Sequence, residues 1–254
     1  MIKAIFLYND GTLFSHQEHR IPSSAWKALS SVQEKGIRII LNTGRDMSEL
    51  DKLKVTEFPF DGYIILNGQL CLDEKRIPYH KVSIEGDMKD RLISWFEEKK
   101  YPMAFSTETG IYINEVSSII EEVQAAISTP VPPVHGYDGE DILLTVFYMS
   151  EEEMSSLDLG DLCVTRWHDG AVDVVSKGGS KANGILRYCE RYGISPRECM
   201  AIGDGENDLE MLKTAGIAVA MGNADDIIKK AADHVTDGID QDGLYNALKY
   251  YELI

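Results

Sequence analysis

The chain has 254 residues, of which 44% are apolar and 26% are charged, and its formal net charge is −17. This length can bury one large core or two smaller ones, and the composition is typical of a soluble globular protein. The negative charge disfavours nucleic acid and anionic membranes as partners, and no apolar run approaches the roughly 20 residues that span a bilayer. The N-terminus MIKAIFLYND lacks a signal-peptide pattern, so we expect a cytoplasmic protein.

The first 70 residues alternate between strand and helix patterns. Short apolar runs at Ala4–Tyr8, Ile37–Leu41 and Tyr63–Leu66 predict strands bounded by turn residues. Apolar residues at helical spacing between the first two runs predict a helix that ends at Gly36. Continuous apolar strands that alternate with amphipathic helices indicate a parallel sheet covered on both faces.

The middle of the chain differs, because several predicted strands follow one another there. This order is typical of an α+β module inserted into an α/β one. We place its borders near Val82 and Ser176, which gives a core domain of residues 1–81 and 177–254 and an inserted domain of residues 82–176. The predicted elements of the insertion are helices over Met88–Phe96 and Val116–Ile127, and strands at Met103–Thr107, Gly110–Asn114, Ile142–Met149, Leu162–Trp167 and Ala171–Val175.

The alternating pattern returns after the insertion. The fold class is therefore α/β, a Rossmann-like doubly wound parallel sheet with an inserted α+β domain. The predicted late elements are helices at Ser180–Tyr192, Asn207–Thr214, Ala224–Ala232 and Gly243–Tyr251, and strands at Cys199–Ile202 and Ile217–Met221.

Polar clusters lie at the ends of these elements. In a doubly wound sheet, loops at the carboxyl ends of the strands converge on one crevice, so the clusters are expected to meet. The clusters are Asp10-Gly11-Thr12, Asn42-Thr43-Gly44-Arg45, Lys181 and Gly203-Asp204-Gly205-Glu206-Asn207-Asp208.

The residue types in these clusters suit phosphoryl chemistry. Asp204 and Asp208 offer the hard oxygen ligands that Mg²⁺ prefers. The Thr43 hydroxyl, the amide of Gly44 and the Lys181 ammonium can bind phosphate oxygens and supply the positive charge that the acidic surface lacks. A further carboxylate, Asp10, can act as general acid and base.

Other interpretations account for single motifs. Gly203-x-Gly205 suggests a dinucleotide site, the alternative from another functional class, but Asp208 would crowd and repel a pyrophosphate. His16 and His19 form an H-x-x-H motif without a clear helix or a carboxylate partner, which favours a solvated loop over a metal site. The 12-residue ligand pattern of an EF-hand is absent. Four widely spaced cysteines without a C-x-x-C pair predict scattered buried thiols.

The order of AIFLYNDGTL, LNTGR, KGGSK and GDGEND resembles the haloacid dehalogenase superfamily, specifically the Cof-type phosphatases with a large type 2 cap. The resemblance implies a Mg²⁺-dependent hydrolase of small phosphorylated metabolites such as sugar phosphates. It makes the insertion the cap. Arg166-Trp167-His168-Asp169 in the cap, together with Arg45, would help to shape a sugar-sized pocket, although a simple turn at a strand end accounts for the segment equally well. The two glycines Gly178-Gly179, where the chain leaves the insertion, suggest a hinge that lets the cap close, although an ordinary flexible connector would have the same sequence.

The resemblance also assigns roles to individual residues. The family's first motif is Asp-x-Asp-Gly-Thr, whose first Asp attacks phosphorus and binds Mg²⁺. In this chain that position is Tyr8, and Asp10 is the second Asp, the acid and base, with a carbonyl on the metal. The implied substrate and phosphate ligands are Thr43, Gly44, Arg45, Lys181 and Asn207, and the implied metal ligands are Asp10, Asp204 and Asp208.

Tyr8 changes what the chain can do. A phenol with a pKa near 10 is about one part in a thousand ionised at neutral pH, so ionising it costs roughly 4 kcal/mol. Three interpretations stay open: a phosphatase impaired by natural drift or an introduced change, a non-catalytic phosphate-ligand binder or regulator, and slow hydrolysis by Tyr8 or an Asp10-activated water. The intact remainder of the site favours the first interpretation.

Overall fold

The computed structural model describes residues 1–127 and 129–254. It contains thirteen β-strands and nine α-helices over those residues. The strands are β1 (Ala4–Leu7), β2 (Arg38–Asn42), β3 (Gly62–Ile65), β4 (Leu70–Asp73), β5 (Pro78–Lys81), β6 (Met103–Ser106), β7 (Ile111–Ile113), β8 (Leu144–Phe147), β9 (Cys163–His168), β10 (Ala171–Val175), β11 (Cys199–Gly203), β12 (Ile217–Ala220) and β13 (His234–Val235). The helices are α1 (Ser23–Glu34), α2 (Met47–Lys52), α3 (Gly86–Glu97), α4 (Ser118–Ala126), α5 (Glu151–Ser155), α6 (Lys181–Tyr192), α7 (Leu209–Thr214), α8 (Asp226–Ala231) and α9 (Gly243–Tyr250).

The chain forms two compact units. The first unit comprises Met1–Arg45, Leu50–His80 and Ser180–Ile254, and the second comprises Asp46–Glu49 and Lys81–Gly179. The predicted hinge glycines therefore end the second unit. The predicted domain borders and the cap's motion stay predictions.

The sheet of the first unit has the strand order β13-β12-β11-β1-β2-β3-β4-β5. Its first six strands pair in parallel, and β4 runs antiparallel to β3. Strand β1 lies between β11 and β2, and all four of its residues are fully buried. Because β11, β1 and β2 are parallel neighbours, the loops that follow them leave the same edge of the sheet.

Helix α6 packs on this sheet through an apolar stripe. Ile185, Tyr188 and Cys189 on the helix lie in one buried cluster with Phe6 of β1 and Ala201 of β11. The edge of the Tyr188 ring meets the Phe6 ring with centroids 5.5 Å apart. This packing fixes the start of α6, where Lys181 lies, relative to the strand ends.

The second unit is built on a five-stranded antiparallel sheet, in the order β7-β6-β8-β10-β9. Its core is aromatic, and the rings of Phe96 from α3 and Phe105 from β6 stack with centroids 4.2 Å apart. Phe147 of β8 and Val172 of β10 complete this core.

The predicted fold class is confirmed, but several local predictions need correction. The pair β4 and β5 was not predicted, because these short strands lack a long apolar run. The helix predicted over Val116–Ile127 begins later, at Ser118, and Val116 lies before it and is 54% exposed. Cys163 is exposed, and the thiols of Cys189 and Cys199 are in contact, so the cysteines are not simply scattered and buried. No helix among the described residues is long and apolar enough to cross a membrane.

Candidate active site

The loop after β1 turns sharply toward the end of β11. The Asn9 carbonyl accepts hydrogen bonds from the amides of Leu13 and Phe14, and Gly11 has a φ of +75°. Thr12 consequently reaches the loop that follows β11, where its hydroxyl donates a hydrogen bond to Asp204 Oδ1 at 2.5 Å. A positive φ favours glycine, which explains residue 11.

Gly11 is also required by its contact with Asp204. A Cβ at position 11 would collide with Asp204 Oδ2. We expect Gly11→Ala to displace the Asp204 carboxylate and to destabilise the protein by more than the roughly 1–2 kcal/mol that a left-handed alanine costs. Gly36→Ala is the matched control, because Gly36 has a φ of +81° and open space around its Cβ position. Equal losses of unfolding free energy in urea for the two variants would refute the contact's role.

Asp10 is held by two cationic or protonatable side chains. Arg45 donates from Nε to Asp10 Oδ2 at 2.8 Å and from Nη2 to Oδ1 at 2.9 Å. His16 Nε2 lies 2.9 Å from Asp10 Oδ1. Burial raises the pKa of Asp10, but the hydrogen bonds of His16 and Arg45 outweigh it, so the pKa lies well below its usual value. The prediction that His16 has no carboxylate partner is wrong, because the loop brings it back to Asp10.

Lys181 and Asp208 form a buried ion pair. Lys181 Nζ lies 2.7 Å from Asp208 Oδ1, and the two side chains are 2% and 0% exposed. Asp208 Oδ2 accepts the amides of Asp204 and Gly205, both at 3.1 Å. The Asn42 amide at the end of β2 donates to the Lys181 carbonyl at 3.1 Å. The ion pair therefore links the start of α6 to the loop after β11, and the Asn42 bond links it to the end of β2.

The Tyr8 side chain lies beside two residues that are predicted to bind phosphate, Lys181 and Asn207. The Lys181 ammonium lies 3.8 Å from the centroid of the Tyr8 ring, within the range of a cation–π contact. The Asn207 side chain is near enough to act on the Tyr8 hydroxyl, where it lowers the pKa of the phenol. Burial, followed by the charges of Asp10, Asp208 and Asp204, raises the pKa of Tyr8 well above its usual value. The phenol is therefore neutral in this environment.

The loop after β2 carries Thr43, Gly44 and Arg45. Thr43 is fully buried, its amide donates to the Ile64 carbonyl at 2.8 Å, and its hydroxyl accepts the Arg45 amide at 3.2 Å. Asn67 packs against Gly44, where a Cβ would lie 2.9 Å from Asn67 Oδ1. The predicted site residues are thus connected: the second loop meets the first through Arg45 and Asp10, and it meets α6 through Asn42.

Comparison with known proteins decides the family. The model of the haloacid dehalogenase-like hydrolases matches residues 5–248. The chain belongs to this family. YkrA of Bacillus subtilis (strain 168) is 32% identical over 257 residues, with 99% of this chain and 98% of YkrA covered. The 5-amino-6-(5-phospho-D-ribitylamino)uracil phosphatase YcsE of Bacillus subtilis (strain 168) is 28% identical, with 99% of this chain and 96% of YcsE covered.

Solved structures agree with this assignment. The phosphatase BT1666 from Bacteroides thetaiotaomicron superposes with a TM-score of 0.90 at 36% identity, covering 100% of this chain and 96% of that one. The subclass IIB sugar phosphatase BT4131 gives a TM-score of 0.86 at 32% identity, covering 99% of this chain and 100% of that one. The predicted resemblance to haloacid dehalogenase phosphatases is confirmed.

A haloacid dehalogenase site that holds a divalent cation needs free oxygen ligands. Within residues 1–127 and 129–254, no three His, Cys, Asp or Glu side chains form a ready cation site. Asp10 and Asp208 each form an ion pair with a cationic side chain. Burial and the neighbouring Asp208 raise the pKa of Asp204 to about 7, although the hydrogen bond from Thr12 opposes this rise. A buried carboxylate short of positive charge suits Mg²⁺. Asp204 is therefore the carboxylate whose chemistry best suits a cation, and the Mg²⁺ site of Asp10, Asp204 and Asp208 stays a prediction.

The predicted sugar-pocket segment of this haloacid dehalogenase chain lies in the second unit. Arg166 Nη1 donates to the carbonyls of Met149, His168 and Asp169 at 2.9–3.1 Å, which ties down the turn after β9. The indole of Trp167 donates to Asp173 Oδ1 at 2.7 Å. The three hydrogen bonds of Arg166 give it a structural role, and the sugar-sized pocket stays a prediction.

Three contributors to this haloacid dehalogenase site lie outside the predicted catalytic, phosphate-binding and metal-binding residues. Thr12 ends the first motif and His16 follows it, but only the turn at Gly11 brings them back to the carboxylates. Asn223 is distant in sequence, and its amide donates to the Gly11 carbonyl at 2.9 Å and to Asp204 Oδ2 at 3.3 Å. No chemistry in the sequence pointed to the Asn223 amide.

Proposed function

We propose that the chain is a haloacid dehalogenase-family phosphatase for small phosphorylated metabolites, such as sugar phosphates, whose turnover is strongly impaired by Tyr8. The observation that carries the proposal is the position of the Tyr8 ring, whose centroid lies 3.8 Å from the Lys181 ammonium. A phosphoryl group would need this ammonium, and the tyrosine ring already contacts it. The Asp10 and Asp204 carboxylates around it are retained.

The retained residues support a defined division of labour. Lys181 and Thr43 would bind phosphoryl oxygens, and the buried pair with Asp208 would hold the ammonium in place. Asp10, fixed by Arg45 and His16, would accept a proton from water during hydrolysis. A Mg²⁺ ion, held by Asp204 and the Asp10 carbonyl, would supply electrostatic stabilisation of the phosphoryl group.

The step that lacks a competent group is nucleophilic attack. A carboxylate is anionic at neutral pH, whereas burial and the neighbouring carboxylates raise the pKa of Tyr8, so its phenol is neutral. Tyr8 also removes one anionic metal ligand. Both effects lower phosphatase activity by the route that passes through a phosphorylated aspartate.

The substrate class is tested with Tyr8→Asp protein. We expect this variant, with Mg²⁺, to release inorganic phosphate from sugar phosphates faster than from nucleoside triphosphates in a panel of phosphate monoesters and anhydrides. Removal of the metal with a chelator should abolish the release. A panel that stays inert with correctly folded variant protein would refute the phosphatase proposal.

The second candidate function is binding without chemistry. It is supported by the complete Lys181–Asp208 pair, which would preserve a phosphate-binding ammonium without any need for turnover. Calorimetry of the unaltered chain with the same metabolites distinguishes the two: tight binding to the unaltered chain, together with an inert Tyr8→Asp variant, supports the binder. Binding that appears only after Tyr8 is replaced supports the impaired phosphatase.

A further inference from the structure

Cys189 and Cys199 lie against each other in the core of the first unit. Cys189 is close to the end of α6, and Cys199 is the first residue of β11. Their sulfur atoms are 3.5 Å apart, and both residues are buried free cysteines. A disulfide bond is about 2.05 Å long, so the two sulfurs need to approach each other by only about 1.5 Å.

The two thiols are chemically unequal. The hydrogen bond between the two thiols lowers the pKa of Cys189, although burial opposes this effect. The same hydrogen bond and burial raise the pKa of Cys199, whose thiol also lies 3.5 Å from the Ser195 carbonyl. Of the two thiols, Cys189 is therefore the one that ionises more readily. Two thiols whose sulfur atoms lie 3.5 Å apart can be oxidised reversibly to a disulfide.

We propose that Cys189 and Cys199 form a reversible intramolecular disulfide when the chain meets a two-electron thiol oxidant such as hydrogen peroxide. The Cys189 sulfur attacks a peroxide oxygen, which gives a sulfenic acid and one water. The Cys199 sulfur then attacks the sulfenic sulfur, forms the S–S bond and releases the second water. Two thiols are oxidised, one peroxide is reduced, and a dithiol reductant reverses the bond.

This bond would connect two elements that lead to the candidate active site. Helix α6 begins at Lys181, and β11 continues into Asp204. A covalent tie between them closes the short segment from Cys189 to Cys199 and restricts the unfolded chain. We therefore expect the oxidised protein to unfold at a higher temperature than the reduced protein.

The test uses folded full-length Cys163→Ser protein, because Cys163 is exposed and would otherwise react first or link two chains. After treatment with hydrogen peroxide, unreacted thiols are alkylated under denaturing conditions and the digest is analysed by mass spectrometry. We expect intact protein lighter by two hydrogens, a peptide that links Cys189 to Cys199, a raised melting temperature and full reversal by dithiothreitol. Alkylation of both cysteines after oxidation would overturn the proposal.

Cys71 provides the matched control. It lies in the same buried cluster, but its neighbour is Tyr79, and burial raises its pKa to about 12. A Cys71→Ser/Cys163→Ser protein should form the disulfide as before, whereas Cys199→Ser/Cys163→Ser protein should not. A link between Cys71 and either other cysteine would also contradict the assignment. These measurements follow sulfur chemistry alone and do not depend on phosphatase activity.

Discussion

Replacing Tyr8 with aspartate is expected to raise Mg²⁺-dependent phosphatase turnover by at least roughly a thousandfold. The estimate follows from ionisation alone, because converting a neutral phenol into a nucleophilic anion at neutral pH costs about 4 kcal/mol of free energy. The change also frees the Lys181 ammonium from the Tyr8 ring. The measurement is the steady-state rate of phosphate release with a sugar phosphate and saturating Mg²⁺.

Tyr8→Asn is the control that distinguishes the gain of a nucleophile from the relief of crowding beside Lys181. It opens the same volume beside Lys181 but provides neither a nucleophile nor an anionic metal ligand. We expect it to remain inactive while it gains affinity for inorganic phosphate. If Tyr8→Asn were as active as Tyr8→Asp, relief of crowding and attack by water would explain the gain, and the nucleophile assignment at position 8 would fail.

Replacing Lys181 with methionine is expected to lower the free energy of unfolding by about 3–5 kcal/mol, the usual cost of removing one partner from a buried ion pair. The Asp208 side chain is 0% exposed, so its carboxylate cannot turn to water when the ammonium is lost. Its Oδ2 would keep the amides of Asp204 and Gly205, but its Oδ1 would lose the Lys181 partner. Urea unfolding followed by circular dichroism measures the effect.

An exposed ion pair in the same chain gives the comparison for this loss. Lys177 lies 3.0 Å from Asp161, and the two side chains are 63% and 94% exposed. Lys177→Met should change the stability little, because exposed ion pairs contribute little. Adding Asp208→Asn to Lys181→Met should restore part of the lost stability, since it removes the buried charge. A Lys181→Met protein as stable as the Lys177→Met protein would show that the buried pair is not a stabilising unit.

The fold was predictable because its signals are local and repeated. Apolar runs such as Ala4–Tyr8 and Ile37–Leu41 fall within one or two residues of β1 and β2, because parallel strands buried on both faces need continuous apolar sequence. The short pair β4 and β5 has no such run, so its pairing depends on the neighbouring β3 rather than on its own sequence.

The candidate site was predictable only where chemistry and position coincide. Carboxylates, a lysine and glycines at strand ends indicated the right loops, and the structure brings them together. Contacts made by a backbone turn were not predictable in this way: His16 reaches Asp10 only because of the turn after β1, and Asn223 reaches Gly11 from another loop. The direction in which the Tyr8 side chain lies also depends on packing, since a phenol at a strand end can point into or away from a site.

The most direct test of the role of Tyr8 is the rate at which the unaltered chain releases phosphate from a sugar phosphate with saturating Mg²⁺. If Tyr8 replaces the nucleophile and its ring contacts Lys181, the rate should be at least roughly a thousandfold below that of the Tyr8→Asp protein under the same conditions. Rapid release by the unaltered chain would contradict this account.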